Sequence, residues 1–247
     1  MTLFAESVHR YWRALFVGRT IYRDDKLSIV INPQLEDDEG VTILHTVSDM
    51  HTAVALLPEA AQSLGAIGIP GEAGALTEAR LREGLVEIGI VMHGADNLYY
   101  LPNAARDAWL AEPEPDDVRR LRANDASLFA AFESRASEQD LEAAQVGIDD
   151  WAVFGVVGED SRLLSAASIY PWDGAALADV GVLTLASARG NGYATRVLRT
   201  VGRHAMTNRH ELQYRSQLDN PASIALAQAA GLELFGRWEV PSPDSQE

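Results

Sequence analysis

Phe4, Val8, Tyr11 and Leu15 recur at three- and four-residue steps, which predicts an amphipathic helix at the start of the chain. Two β-rich runs follow, "KLSIVINP" and "GVTILHTV", separated by the acidic, turn-like "QLEDDEG". "DMHTAVALLPEAAQSL" reads as helical, with Pro58 either kinking it or starting a second helix. "IGIPGEAGAL" reads as a loop, "LTEARLREGLVEIG" as a helix and "NLYYLP" as a short strand. The first half is therefore mixed α and β.

"AEPEPDD", Ala111 to Asp117, is acidic, carries Pro113 and Pro115, and shows no hydrophobic period. It reads as an extended linker and sets expected domains at 1–112 and 117–247. Beyond it "DVRRLRAND" predicts a short strand, and Leu128, Phe129 and Phe132 share one helix face. In "SEQDLEAAQ" Ser137 is placed to cap a helix, with Asp140 at its third position. "WAVFGVVGEDSRLLSAASIYP" reads as a hairpin with Gly158 to Ser161 in the turn, and "ADVGVLTL" as a third strand. A glycine-rich turn leads from that strand into a helix whose apolar face is Ala194, Val197, Leu198, Val201 and Ala205. "ELQYRSQL" is a further strand, "NPASIALAQAAG" a helix closed by Gly231, and "LELFGRWEV" a last strand. The second half thus runs β-α-α-β-β-β-α-β-α-β.

Composition narrows the chemistry. Net charge is -16, which repels nucleic acid and anionic membrane at long range, so neither is expected as a partner. With no cysteine in the chain, disulfides, thiolate metal sites and cysteine nucleophiles are excluded. The opening residues show no signal-peptide pattern, and no run approaches the roughly 20 apolar residues that span a bilayer. A cytoplasmic protein is expected. His45, Asp49 and His51 are close in sequence but fit no metal pattern with a third ligand, so no metal is expected.

The stretch "LTLASARGNGYATRVLR" joins strand to helix. A dinucleotide fingerprint would need a third glycine where Thr195 stands, and a Walker loop would need Gly-Lys-Ser/Thr; both fail. The glycines either relieve the backbone at an ordinary helix start or form a cradle for phosphate. In a cradle, the unpaired N–H groups and dipole of a helix N-terminus face an anion, and small residues let it approach.

Arg189, Gly192 and Ala194 match R-x-x-G-x-A/G, and about 30 residues on "DNPASIALAQAAGL" matches N-x-x-A/S-x-x-L with Asn220, Ser223, Leu226, Gly231 and Leu232. Together with "DVRRLRANDASLFAAF", these motifs resemble the GNAT acyltransferases over roughly Asp117 to Val240. The resemblance implies an α+β fold, a mixed and mostly antiparallel sheet flanked by helices, here preceded by a smaller α+β domain. It implies an N-acetyltransferase that moves an acetyl group from acetyl-CoA directly to an amine of a small molecule or peptide. The matching turn assigns Arg189, Gly190, Asn191, Gly192, Tyr193, Ala194 and Thr195 to the pyrophosphate. Asn220 and Ser223 would meet the pantetheine arm or the helix backbone. Val182, Leu183 and Thr184 would serve through their backbone, on a strand that splays from its neighbour.

Asp179, ten residues before Arg189, matches the place where some members carry a general base; the alternative is that it only begins a strand. Where many members carry a tyrosine acid this chain has Ala227, so that role is vacant or filled elsewhere, with Tyr170 and Tyr214 as candidates. Tyr193 is expected to pack the helix against the sheet. Arg196, Arg199 and Arg203 share one helix face, either solvated or, near the turn, drawing phosphates. A non-catalytic acyl-CoA-binding module, or an interaction scaffold, is the competing class. The first half faintly echoes the same pattern, as a degenerate copy or an unrelated accessory domain, walling the acceptor site or forming a homodimer surface.

Overall fold

β9, Leu177–Thr184, is the central strand of the second half. It is described by a computed structural model covering residues 2–36, 39–70 and 76–243. Parts of the expected "QLEDDEG" turn and "IGIPGEAGAL" loop lie outside these described residues. The chain divides into two compact units, one formed by 1–8, 99–215 and 221–233, the other by 9–98, 216–220 and 234–247.

In the first unit the hairpin β7 (Ala152–Val157) and β8 (Leu163–Pro171) is flanked by β6 (Val118–Leu121) and β9, all antiparallel. β10, Glu211–Gln217, lies parallel to β9, with the Tyr99–Tyr100 end of β5 (Asp96–Tyr100) beyond it. The mostly antiparallel character follows from the hairpin; the parallel pair needs a crossover, which the 15-residue α7 (Tyr193–Thr207) supplies. On one face α5 (Ala126–Glu133) and α6 (Glu138–Ala144) cover a core of Phe129, Phe132, Val153, Leu163 and Leu183. Tyr193, at the start of α7, packs on this core. Ser137 caps α6 as its spacing predicts, its Oγ accepting from the Asp140 N–H at 3.1 Å. α8, Pro221–Ala230, ends at Gly231 with φ +86.

The acidic 112–117 stretch is no free linker. It follows a short helix, α4 (Arg106–Ala111), that the hydrophobic pattern leaves unmarked. Glu112 accepts from both Arg199 and Arg203, Glu114 pairs with Arg203 at 3.3 Å, and Asp117 pairs with Arg196 at 2.8 Å. The arginine face of α7 is therefore matched by carboxylates rather than simply solvated.

The second unit centres on a sheet ordered β1 (Arg19–Arg23), β2 (Leu27–Ile31), β4 (Thr52–Leu56), β3 (Val41–Thr46) and β11 (Glu233–Glu239). α1, Glu6–Leu15, is the expected opening helix. The helix expected from Asp49 onward is corrected: Thr52–Leu56 is a strand, parallel to β2 and antiparallel to β3. Such a central strand is apolar on both faces, and its short run has no period that tells it from a buried helix. Pro58 starts α2, Pro58–Ala66, where its missing N–H costs nothing. That helix and α3 (Glu78–Glu87) cover Ile29, Ile43, Val54 and Leu56.

Candidate active site

β9 and β10 pair only from Leu177↔Glu211 to Asp179↔Gln213, although both strands continue. Beyond that point β9 stays paired to β8 as far as Thr184↔Ser165. The other edge of Val180–Thr184 thus parts from Tyr214 and Arg215, leaving the splayed strand that the sequence resemblance implies. Strand edges that part expose backbone donors and acceptors that a ligand can use. Leu183 is buried in the core, so its side chain is committed there. Thr184 Oγ1 lies 2.7 Å from Ser165 Oγ.

β9 runs through a short 3-10 turn into Arg189–Gly192, and α7 begins at Tyr193. Gly192 is the cap residue, with φ 72 and no side-chain hydrogen bond to the helix. The N–H groups of Tyr193, Ala194 and Thr195 therefore keep the unpaired state of a helix start, with the dipole behind them. Asn191 braces the turn, its Nδ2 donating to the carbonyls of Ala188 and Arg189 at 3.1 and 3.2 Å. Arg189 Nε donates to Thr184 O at 3.3 Å and its Nη2 to Asp140 at 2.7 Å.

At the apex where the strands part lies a row of polar side chains on one face. Tyr100 Oη donates to Gln213 Oε1, and Gln213 Nε2 donates to Asp179 Oδ1 at 3.0 Å. Asp179, 4% exposed, also receives Arg215 Nε and Nη2, the latter at 2.9 Å. Tyr170 Oη donates to Asp179 Oδ2 at 2.9 Å. Arg215 in turn stacks on Trp172, its Cζ 4.5 Å from the ring centroid. The row follows from register, since Tyr170 faces Asp179 and Asp179 faces Gln213 across three strands. Burial pushes the Tyr170 hydroxyl up to about 12, helped by the Asp179 charge and hydrogen bond and opposed by Arg215. Gln213 and Arg215 have no motif of their own; only their alternation with Tyr214 along β10 could have marked them.

Tyr214 points to the opposite face. It is buried against Tyr99, with ring centroids 6.3 Å apart. Burial raises its hydroxyl above the ordinary phenol value, while a hydrogen bond with Ser223 in α8 pulls the other way. Ala227 is fully buried in the same helix. Asn220 immediately precedes α8, falls among the residues of the second unit, and its N–H donates to Gln217 O at 3.2 Å. Asp179, Val182 to Thr184, Arg189 to Thr195, Tyr214 and Ser223 all belong to the first unit, with Tyr214 on the face opposite the Asp179 row.

Among the described residues no group of three or more His, Asp or Glu could hold a metal ion, and no helix is long and apolar enough to cross a membrane.

The mixed sheet carries a parted parallel pair that feeds an uncapped glycine turn, and comparison with known proteins places the chain in a family. The family model described as "Acetyltransferase (GNAT) domain" matches residues 96–233, more than half of the chain. The chain belongs to the GNAT acetyltransferase family. No curated protein matches it. Among solved structures it is similar to an acetyltransferase from the GNAT family from Colwellia psychrerythraea, at TM-score 0.53 and 18% identity over 97% of this chain and 98% of that one. It is also similar to a functionally unknown conserved protein from Staphylococcus epidermidis, at TM-score 0.51 and 14% identity over 96% and 99%. At these identities the likeness concerns fold alone. Both alignments span nearly the whole chain, including most of what the family model leaves out.

Proposed function

We propose that this protein transfers the acetyl group of acetyl-CoA to an amine of a small-molecule or peptide acceptor, in the cytoplasm, without a covalent enzyme intermediate. The observation that carries the reading is the parting of β9 from β10 immediately before the uncapped Gly192 turn. The turn suits a pyrophosphate, because unpaired N–H groups and the helix dipole favour an anion and no side chain occupies the cap. The exposed edge of Val182, Leu183 and Thr184 suits the amide-rich pantetheine arm and the thioester carbonyl.

The acceptor nitrogen attacks the thioester carbon, and collapse of the tetrahedral species breaks the C–S bond. The ammonium proton passes to Tyr170 Oη as that hydroxyl gives its own proton to Asp179 Oδ2, with Arg215 balancing the charge. Tyr214, protonated at neutral pH as any phenol of ordinary pKa is, with burial raising its hydroxyl further, is the donor to the departing thiolate. A thiol of ordinary pKa near 8.5 also leaves without assistance, so the alanine at 227 does not prevent turnover.

We assign catalysis to the unit that holds most of residues 117–247, together with 99–116, and an accessory role, as a homodimer surface, to the unit that holds most of residues 1–112. The parallel pair of the second unit supports a single cofactor site, because β2 and β4 stay paired from Leu27↔Thr52 through Ile31↔Leu56. Nucleic acid and membrane are not proposed as partners. The test is thiol release from acetyl-CoA across a panel of amines, beside calorimetric binding of CoA. Turnover with any amine supports the reading. Tight CoA binding with no turnover would favour a non-catalytic acyl-CoA-binding module, the reading that buried Ala227 motivates.

A further inference from the structure

Both arginines of the glycine turn are already neutralised by carboxylates from elsewhere in the first unit. Arg189 is held by Asp140 of α6 at 2.7 Å, with the two side chains 53% and 33% exposed. Arg196 is held by Asp117, just before β6, at 2.8 Å, with 36% and 38% exposure. Its Nη1 also donates to Asn191 O within the turn at 3.3 Å. Exposed pairs of this kind contribute little and exchange readily for a better anion. A phosphate group offers Arg a bidentate partner, and at this turn it would also meet the helix dipole.

We propose that Asp140 and Asp117 are internal competitors for the cofactor's phosphates, and that the loss of Asp140 from Arg189 releases the N-terminal end of α6 from the cofactor turn. The inference rests on the acetyl-CoA reading above. The two ends of α6 are held differently. Its C-terminal end lies on β9, where a Cβ at Gly181 would come within 2.2 Å of Ala144 O. The following loop is pinned by Gly147 N–H to Asp150 and to Ser168 Oγ, both at 3.1 Å. At the N-terminal end, Ala136 and Leu141 pack on the core of Phe129, Phe132 and Leu183, and Arg189 is the tie to the cofactor turn. Asp140 also accepts from Ser137 Oγ at 2.7 Å, so its release leaves the local cap of α6 in place while freeing that end from the cofactor turn. Cofactor binding therefore loosens the helix beside the Asp179 row.

The experiment is calorimetric titration of CoA into the wild-type chain, Asp140→Asn and Asp117→Asn, with hydrogen exchange of residues 138–142 before and after CoA. Each asparagine variant should bind CoA about two- to fivefold tighter, since a competing exposed pair has been removed. Asp140→Asn should lose that gain when combined with Arg189→Gln. Exchange at 138–142 should rise with CoA in the wild type and be insensitive to CoA in Asp140→Asn. Equal or weaker CoA binding by Asp140→Asn, or protection of 138–142 on CoA binding, would overturn the inference and leave the acetyl-CoA reading standing. Absence of CoA binding by the wild type would remove that reading and this inference together.

Discussion

Asp179 and Gln213 are the last facing pair of the parallel strands β9 and β10, and a 3.0 Å hydrogen bond joins their side chains. The site opens where this bond closes the ladder. Asp179 thus sits at the apex with both carboxylate oxygens engaged, one by Gln213 and Arg215, the other by Tyr170 and Arg215. Asp179→Asn removes the terminal proton acceptor while keeping the shape. It should lower kcat by about a hundredfold at neutral pH, the low end of the range for a lost general base, with CoA affinity nearly unchanged. Steady-state rates beside calorimetry check this; an undiminished rate retires Asp179 from the chemistry.

Tyr170 should titrate at about pH 12 rather than near 10, chiefly because it is buried. A phenol whose folded value is raised lends stability that is fully present below its unfolded pKa of about 10 and is lost as pH climbs through the folded value. Wild-type stability should therefore fall between about pH 10 and 12 relative to Tyr170→Phe. Phenolate absorbance and denaturant unfolding of the two proteins measure it, and coincident curves would contradict the burial argument.

Gly192 adopts φ 72 at the start of α7, with Arg196 Nη1 3.6 Å from where a Cβ would stand. Gly192→Val places a β-branched side chain in a left-handed conformation and over the uncapped N–H groups. The backbone cost is about 1–2 kcal/mol, which leaves the protein folded. CoA binding should weaken by tenfold or more. Retained affinity would show that the turn holds no phosphate.

At Gly181 a Cβ would come within 2.2 Å of Ala144 O and 2.8 Å of Gln145 O. Both are backbone atoms, so the α6 terminus must shift to admit even alanine. Gly181→Ala should cost about 1–3 kcal/mol by overpacking and reduce kcat/KM for the amine more than affinity for CoA. Thermal unfolding and separate kinetic constants resolve the two effects.

Tyr214→Phe removes a buried hydroxyl bonded to Ser223. It should lower kcat by about tenfold or less, because a thiolate leaves acceptably unaided at neutral pH. The deficit should be smaller for acyl donors with more acidic thiols. A deficit independent of the thiol would assign Tyr214 to packing alone.

Much of this was legible beforehand. The glycine turn, the strand before it and the helix after it lie close together in sequence, and short-range periodicity with turn chemistry determines such segments. The Ser137 cap was legible for the same reason, since Asp140 is three residues away. β4 was not, because Thr52–Leu56 is a strand only by virtue of β2 and β3 on either side. Nor was α4, whose six residues are too few to show a period.

By itself, then, the sequence determined the family pattern: where the turn lies, which residues are small there, and that cysteine chemistry is absent. Tertiary structure decided what those residues face. Arg189 and Arg196 looked like free cations until folding set Asp140 and Asp117 against them from 49 and 79 residues away. Asp179 looked like an isolated acid until strand register brought Tyr170, Gln213 and Arg215 to it. The reason is physical: local pattern dictates which element forms, whereas the partner of a charge is chosen by cross-strand register and helix docking between segments remote in the chain.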